Sequence, residues 1–138
     1  MPEGDTIPVK SSVDTGPLVI FSDDFVKDAT TKVEYGFITG DTTVGDGRGF
    51  GTHKHDYAEI FLFLGTDAGD TNYLGAEAEF WLGEGDDMVK VKLNTSSSVF
   101  VVPGLAHFPL IWRNVVSPVM MVVIVPSTSR HKAIPVKR

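Results

Sequence analysis

Apolar and polar residues alternate along this chain in short bursts. The cleanest is Val89–Leu93, which reads Val, Lys, Val, Lys, Leu. A period of two puts every second side chain on the same sheet face, so this segment predicts a strand with one wet face. Apolar runs bounded by turn residues predict further strands at Pro17–Phe21, Val33–Ile38, Ala76–Leu82, Val99–Val102, Phe108–Arg113 and Val119–Val125. Thr52–Leu64, dense in His and aromatic residues, predicts one strand or a pair of strands. No segment sustains a helical period for more than two turns. The string SDDFVKDAT, with Ser22 or Asp23 as cap, offers a single helical turn. About eight short strands at roughly 8–12-residue spacing predict an all-β sandwich or barrel.

The segments between the strands are turn material. Gly40–Gly51 reads GDTTVGDGRGFG, and Gly65–Gly75 reads GTDAGDTNYLG. A chain of 138 residues supplies one real core and not two. Residues 1–16, polar and rich in Pro, Gly and Asp, read as an extended N-terminal arm. Residues 17–126 read as the barrel, and residues 127–138 as a basic C-terminal tail. There is no internal repeat.

Composition narrows the chemistry. Apolar residues make up 42% and charged residues 22%, as in an ordinary globular protein. The chain has no cysteine. Disulfides, thiolate nucleophiles and Cys-ligated zinc or iron–sulfur centres are therefore excluded, and any metal must sit on nitrogen and oxygen. The longest apolar run, Val119–Val125, falls far short of the roughly 20 residues a spanning helix needs. The N-terminal MPEGDTIPVK lacks the apolar core of a signal peptide. The expectation is a soluble, cytoplasmic protein with no membrane partner.

The net charge of −6 is unevenly spread. All 18 acidic residues lie at or before Asp87, and beyond it stand seven Lys and Arg. A basic half would suit a nucleic acid, but no binding motif accompanies it. The expectation is that strands from the two halves pair and neutralise each other, with no nucleic-acid partner.

The residues that carry chemistry are in the string GTHKHDYAE. On a strand, His53 and His55 point to one face and Glu59 shares their parity. Three nitrogen and oxygen donors on one face make half of a metal site. A His-x-His pair alone is an ordinary surface feature; a further ligand raises its meaning. That ligand is His107 in VVPGLAHFPL, at the start of a strand after a Pro-Gly turn. A barrel can bring the two segments side by side. The fourth histidine, His131 in SRHKAIPVKR, reads as a solvated tail residue.

These two segments resemble the paired motifs of the cupins. The first motif is G-x5-H-x-H-x3/4-E-x6-G; here Gly47, His53, His55 and Glu59 keep the spacing, and Gly65 arrives one residue early. The second is P-x-G-x-x-H-x3-N; here Gly104 and His107 are in place, Pro103 stands one residue late, and Ile111 occupies the Asn position. The resemblance covers Gly47 to Arg113. It implies a double-stranded β-helix, or jelly-roll barrel, with one metal ion on His53, His55, Glu59 and His107. The departures touch turns and packing, not ligands.

Three imidazoles and a carboxylate suit one divalent transition metal ion: Fe, Mn, Ni, Co or Zn. An octahedral ion with four protein ligands keeps two positions for a small-molecule ligand. Alternation places Phe61 and Phe63 on the face of Glu59, and Phe80 with Ala78 inward because Glu77 and Glu79 then face water. Ile111 and Arg113 share the parity of His107, and Tyr57 lies between ligands at the rim. Tyr57, Phe61, Phe63, Phe80, Ile111 and Arg113 are the expected substrate pocket, with Arg113 suited to a carboxylate. The resemblance implies a metal-dependent enzyme of dioxygenase, isomerase or lyase type, acting on a small oxygenated or aromatic molecule. The alternative is a non-catalytic barrel that binds or senses a metal or small molecule. A thiol dioxygenase with a Cys–Tyr crosslink is excluded. By parity Trp81 and Trp112 face outward, which predicts a homodimer, with the N-terminal arm adding a strand to the partner.

Overall fold

The computed structural model of the chain describes residues 7–10, 17–21, 27–126 and 133–138. Among these the strands are β1 (Ile7–Lys10), β2 (Pro17–Phe21), β3 (Lys32–Ile38), β4 (Thr42–Val44), β5 (His53–Lys54), β6 (Glu59–Gly65), β7 (Tyr73–Leu82), β8 (Val89–Thr95), β9 (Ser97–Val101), β10 (His107–Arg113), β11 (Val119–Val125) and β12 (Ile134–Pro135). The only helical element among them is a 3₁₀ turn at Gly85–Asp87. None is a helix long and apolar enough to cross a membrane.

The strands form two antiparallel sheets. The first runs β1-β2-β3-β11-β6-β9; the second runs β12-β5-β10-β7-β8, with β4 also paired to β10. Consecutive strands therefore cross repeatedly from sheet to sheet, as in a jelly roll. The inward faces meet in one core. Phe61, Phe63, Ile38 and Val119 come from the first sheet, and Phe80, Leu110 and Trp112 from the second.

The expected strands form where the alternation placed them. Two segments differ. The turn-rich stretch Gly40–Gly51 contains β4, whose Thr42–Val44 pairs with Trp112–Leu110. Three residues are too few to display a period, so β-branched Thr42, Thr43 and Val44 were hidden among glycines. Thr52–Leu64 splits into β5 and β6, and these lie in different sheets. The arm contributes β1, which pairs with β2 of its own chain. The tail contributes β12, which pairs with β5. Ser22 and Asp23, the expected caps, lie outside the described residues, as does His131.

The uneven charge resolves as strand pairing. On the outer face of the second sheet, Glu79 faces Lys92 across β7–β8, and Glu77 faces Arg113 across β7–β10. The acidic strand β7 thus sits between two basic ones.

Alternation fails on β10, and the failure has consequences. Its register with β7 shifts between His107 and Leu110, and Phe108 adopts a positive φ of 79°. A bulge of this kind reverses the parity of everything after it. Leu110 and Trp112 turn inward and are fully buried, while Ile111 and Arg113 turn outward. The expectation of an outward Trp112 is therefore corrected. Trp81 is part-buried, with the Lys90 ammonium 4.2 Å above its ring.

Candidate metal centre

The site forms where the two sheets meet. Register places His53 directly opposite His107 on β5 and β10. The chain then bends through His55 to Ala58 and enters the first sheet at Glu59. His53, His55 and Glu59 thus converge by crossing between sheets, not by shared parity on one strand. The structure brings the same residues together, by a bend between sheets in place of a shared strand face.

Two glycines of the motifs have definite jobs. Val102–Leu105 is a hydrogen-bonded turn, Leu105 N donating to the Val102 carbonyl at 3.1 Å. Pro103 takes its second position and Gly104, at φ 83°, its third, as a type II turn requires. The displaced proline is the residue this turn selects. Gly104 N then donates to the His55 carbonyl at 2.7 Å, tying the second motif to the first. At Gly65 a Cβ would overlap the Tyr73 carbonyl, so any larger residue at the end of β6 must displace that carbonyl.

All three imidazoles are held the same way. His53 Nδ1 donates to the Gly51 carbonyl at 2.7 Å, His55 Nδ1 to the Tyr57 carbonyl at 2.8 Å, and His107 Nδ1 to the Leu105 carbonyl at 2.9 Å. A carbonyl has no proton to give, so each Nδ1 carries the hydrogen and each Nε2 presents a bare lone pair. One ligand atom from each of His53, His55, Glu59 and His107 lies within 4.8 Å of the others. Metal–nitrogen and metal–oxygen bonds of about 2.0–2.2 Å would draw such a set together around one ion.

The polar balance asks for a cation. His107 is fully buried, and its Nε2 has no hydrogen-bond partner. Glu59 Oε1 touches His55 Nε2 and lies 3.7 Å from His107 Nε2. With both Nδ1 atoms protonated, these are acceptors facing acceptors, which only a proton or a metal ion can bridge. Burial pushes the Glu59 carboxyl up, but the two imidazoles beside it, His107 and His55, outweigh burial and hold it below its ordinary value. His53 is held below the ordinary imidazole range, chiefly by burial and further by the neighbouring histidines. The residues present fit a divalent ion.

The expected pocket residues divide. Phe61 reaches the site, its ring 6.2 Å from that of His107. Phe63 and Phe80 lie deeper, fully buried; Phe63 packs edge-on to Trp112 at 5.5 Å and 6.2 Å from Phe80. Because Trp112 turns inward, it fills the barrel at that level, and these two rings are core. Tyr57 stacks on His55 with centroids 3.8 Å apart and planes 2° from parallel, at a half-buried rim. Ile111 and Arg113 stand on the outer face with Glu77, Glu79 and Lys92, away from the ligands. The bulge that buries Trp112 removes both from the site.

Sequence reasoning missed several neighbours. Phe108 packs against His53 and His107 at 5.5 and 5.2 Å, and Phe50 lies 6.1 Å from His53. Pro109 was the available signal, since proline within a strand marks an edge or a bulge. Lys32, ion-paired to Glu34 at 3.0 Å, lies within electrostatic reach of Tyr57 and Glu59. Arg138 donates to the carbonyls of Phe108 at 2.7 Å, Trp81 at 3.1 Å, and Gly83. Together with β12, it braces the strand ends that carry His53 and His107.

No protein-family model matches the chain, and no curated protein matches it. Solved structures do. A cupin-2 domain protein, Rru_A2000 from Rhodospirillum rubrum, is 12% identical at a TM-score of 0.59, over 99% of this chain and 78% of that one. The polyketide cyclase RemF from Streptomyces resistomycificus is 9% identical at 0.60, over 100% of this chain and 84% of that one. A deletion mutant of Bacillus subtilis oxalate decarboxylase OxdC is 10% identical at 0.64; 97% of this chain corresponds to 31% of that larger one. The architecture, the placement of both motifs and these likenesses agree that the chain has the cupin fold.

Proposed function

We propose that the chain binds one divalent transition metal ion through His53, His55, Glu59 and His107, and acts as a metal-dependent enzyme on a small oxygenated or aromatic molecule. The observation that carries this reading is the common tautomer: three backbone carbonyls fix three Nδ1–H groups, so that three Nε2 lone pairs converge beside Glu59, and the buried one on His107 has no other partner. Fixing the second ring nitrogen in this way is how metal-binding histidines are oriented. The bound ion would supply Lewis acidity or redox capacity at positions the protein leaves free. Tyr57 and Phe61 would flank a bound molecule, and Lys32 would favour one bearing negative charge. The fold likeness to an oxalate decarboxylase and a polyketide cyclase supports catalysis on small oxygenated molecules.

The packed aromatic core beneath the ligands favours a second reading, a module that binds a metal or small molecule without converting it. The two separate by assay. Tag-free protein should carry near-stoichiometric metal by mass spectrometry, and a His53→Ala/His107→Ala double variant should carry none. Equal metal in both would overturn the metal site. Metal-loaded protein that is stabilised by small carboxylates or phenols, yet consumes none of them, would favour the binding module.

A further inference from the structure

We propose that Lys32 anchors an anion subsite beside the metal centre. The molecule bound there is a small monocarboxylic acid, its carboxylate on the Lys32 ammonium and its far end among His53, His55, Glu59 and His107. This deepens the metal-centre reading and rests on it. Register places the lysine. On β3, Ile38 is fully buried and Phe37 is 44% exposed, so the residues alternating with Ile38 face the barrel interior. Those residues are Gly36, Glu34 and Lys32. Glu34 pairs with Val123, which pairs on its other side with Phe61. Lys32 pairs with Val125; because Ile124 pairs with Ile60, Val125 stands opposite Glu59. Lys32 and Glu59 therefore share one inward row, two strands apart, with about 10 Å between their backbones.

The chemistry of this row is out of keeping with a core. Across the inward positions of β3, β11, β6 and β9 the only charged residues are Glu59, Lys32 and Glu34. Lys32 and Glu34 are ion-paired at 3.0 Å, with 46% and 29% of their side chains exposed. A pair this exposed adds little stability, and apolar residues would pack there as well, so stability does not account for it. Burial works against the ammonium, but Glu34, and after it Tyr57 and Glu59, hold its pKa above the ordinary lysine value. The cation is thus held beside the site by three groups that all favour positive charge.

Charge selects the ligand. The three imidazoles are neutral tautomers, so Lys32, Glu34 and Glu59 leave a single net negative charge facing inward. A divalent ion turns this into a single positive charge, which one carboxylate neutralises and a dianion overshoots. Lys32 is the donor that a carboxylate can take, because its present partner, Glu34, is part-exposed and can turn to water at little cost. Tyr57, within electrostatic reach of Lys32 and stacked on His55, and Phe61, in the Glu34 row, supply apolar flanks for the body of the acid.

Isothermal titration calorimetry on Zn(II)-loaded protein at fixed ionic strength tests this with lactate and salicylate, each beside its uncharged amide. The wild type should bind at least one acid about tenfold more tightly than its amide. Lys32→Met should lose about tenfold for that acid, the effect of one charge-assisted hydrogen bond at a part-exposed site, and leave the amide unchanged. Lys32→Arg should restore the affinity. Glu34→Gln, which releases the ammonium, should tighten the acid several-fold, a gain that a structural role for the pair does not produce. All variants should still take up equimolar Zn(II). A wild-type protein that takes up no Zn(II) would overturn the metal reading and the subsite with it. Zn(II) uptake with no preference for either acid over its amide, or a preference that survives Lys32→Met, would overturn the subsite alone.

Discussion

Replacing His107 by leucine separates a metal ligand from a structural histidine, because the two roles predict opposite effects on stability. In the metal-free protein, His107 buries an Nε2 with no partner. An unsatisfied buried acceptor costs about 1–3 kcal/mol. Leucine removes that cost, fills most of the volume and faces Phe61 and Phe108 without loss. Against it stands the lost hydrogen bond from Nδ1 to the Leu105 carbonyl, worth about 0.5–1.5 kcal/mol. The two terms offset, so metal-free His107→Leu should lie within about 1 kcal/mol of metal-free wild type. Metal changes the comparison. An ion at about 100 times its dissociation constant stabilises the wild type by about 2.7 kcal/mol. At about 3 °C per kcal/mol for a chain of this size, that is a rise in Tm of about 8 °C. The variant, short of one imidazole at a site that needs all its ligands, should show less than about 1 °C. The assay is thermal unfolding of chelator-stripped protein, with and without added Zn(II), Ni(II), Co(II) or Mn(II). A His107→Leu protein that keeps the wild-type metal shift would refute the ligand assignment. A metal-free variant that unfolds several kcal/mol below wild type would refute the claim that His107 is unpaired without an ion.

The remaining predictions address pH, packing and register. His53 and Glu59 are both held below their unfolded values of 6.5 and 4.5, so the unfolded chain takes up protons that the folded chain does not. Their stability is present above those values and is lost as pH falls through the lowered ones; Tm of the metal-free protein should therefore drop between neutral pH and pH 4. Bound metal should leave over the same range, since protons compete for the same atoms, and a flat profile in both measurements would sink this reasoning. Trp112→Ala should cost about 3–5 kcal/mol by denaturant titration, whereas Trp81→Ala should cost far less. Equal costs would mean that the bulge does not reverse the parity of β10. Gly65→Ala should destabilise by about 1–3 kcal/mol, because the Tyr73 carbonyl must move; an unchanged Tm would show that the two strand ends can separate freely.

Most of the fold was legible because alternation is a local signal. Val89–Leu93 declares its own period, and β2, β3, β8 and β11 fall where apolar runs meet turn residues. The candidate ligand cluster was legible for another reason: spacing between histidines survives even when the conformation assumed for it is wrong. His53, His55 and Glu59 were placed on one strand face, yet β5 ends at Lys54 and Glu59 opens a strand of the other sheet. What was not legible depends on a single event on β10. One shift in register between His107 and Leu110 moved Trp112 into the core and carried Ile111 and Arg113 out of the site. No composition or period records such a shift; only Pro109, in the middle of a strand, hinted at it.

That same shift links the two parts of the site. Parity before the bulge aims His107 at the ligands, and parity after it seats Trp112 against Phe63. Regular alternation would have put Ile111 in place of Trp112 and Arg113 inside the barrel. Phe108, at the bulge, faces inward beside His107 and packs on His53, so that successive residues of β10 both serve the centre. The carbonyl of Phe108 accepts from Thr52 Oγ1 at 3.0 Å and from Arg138, which fastens the distorted strand to the segment carrying His53. The irregular backbone is thus held from both sides, by Thr52 next to His53 and by Arg138 outside the two motifs. The ligand spacing specifies which atoms can meet; the bulge and its braces determine that they do.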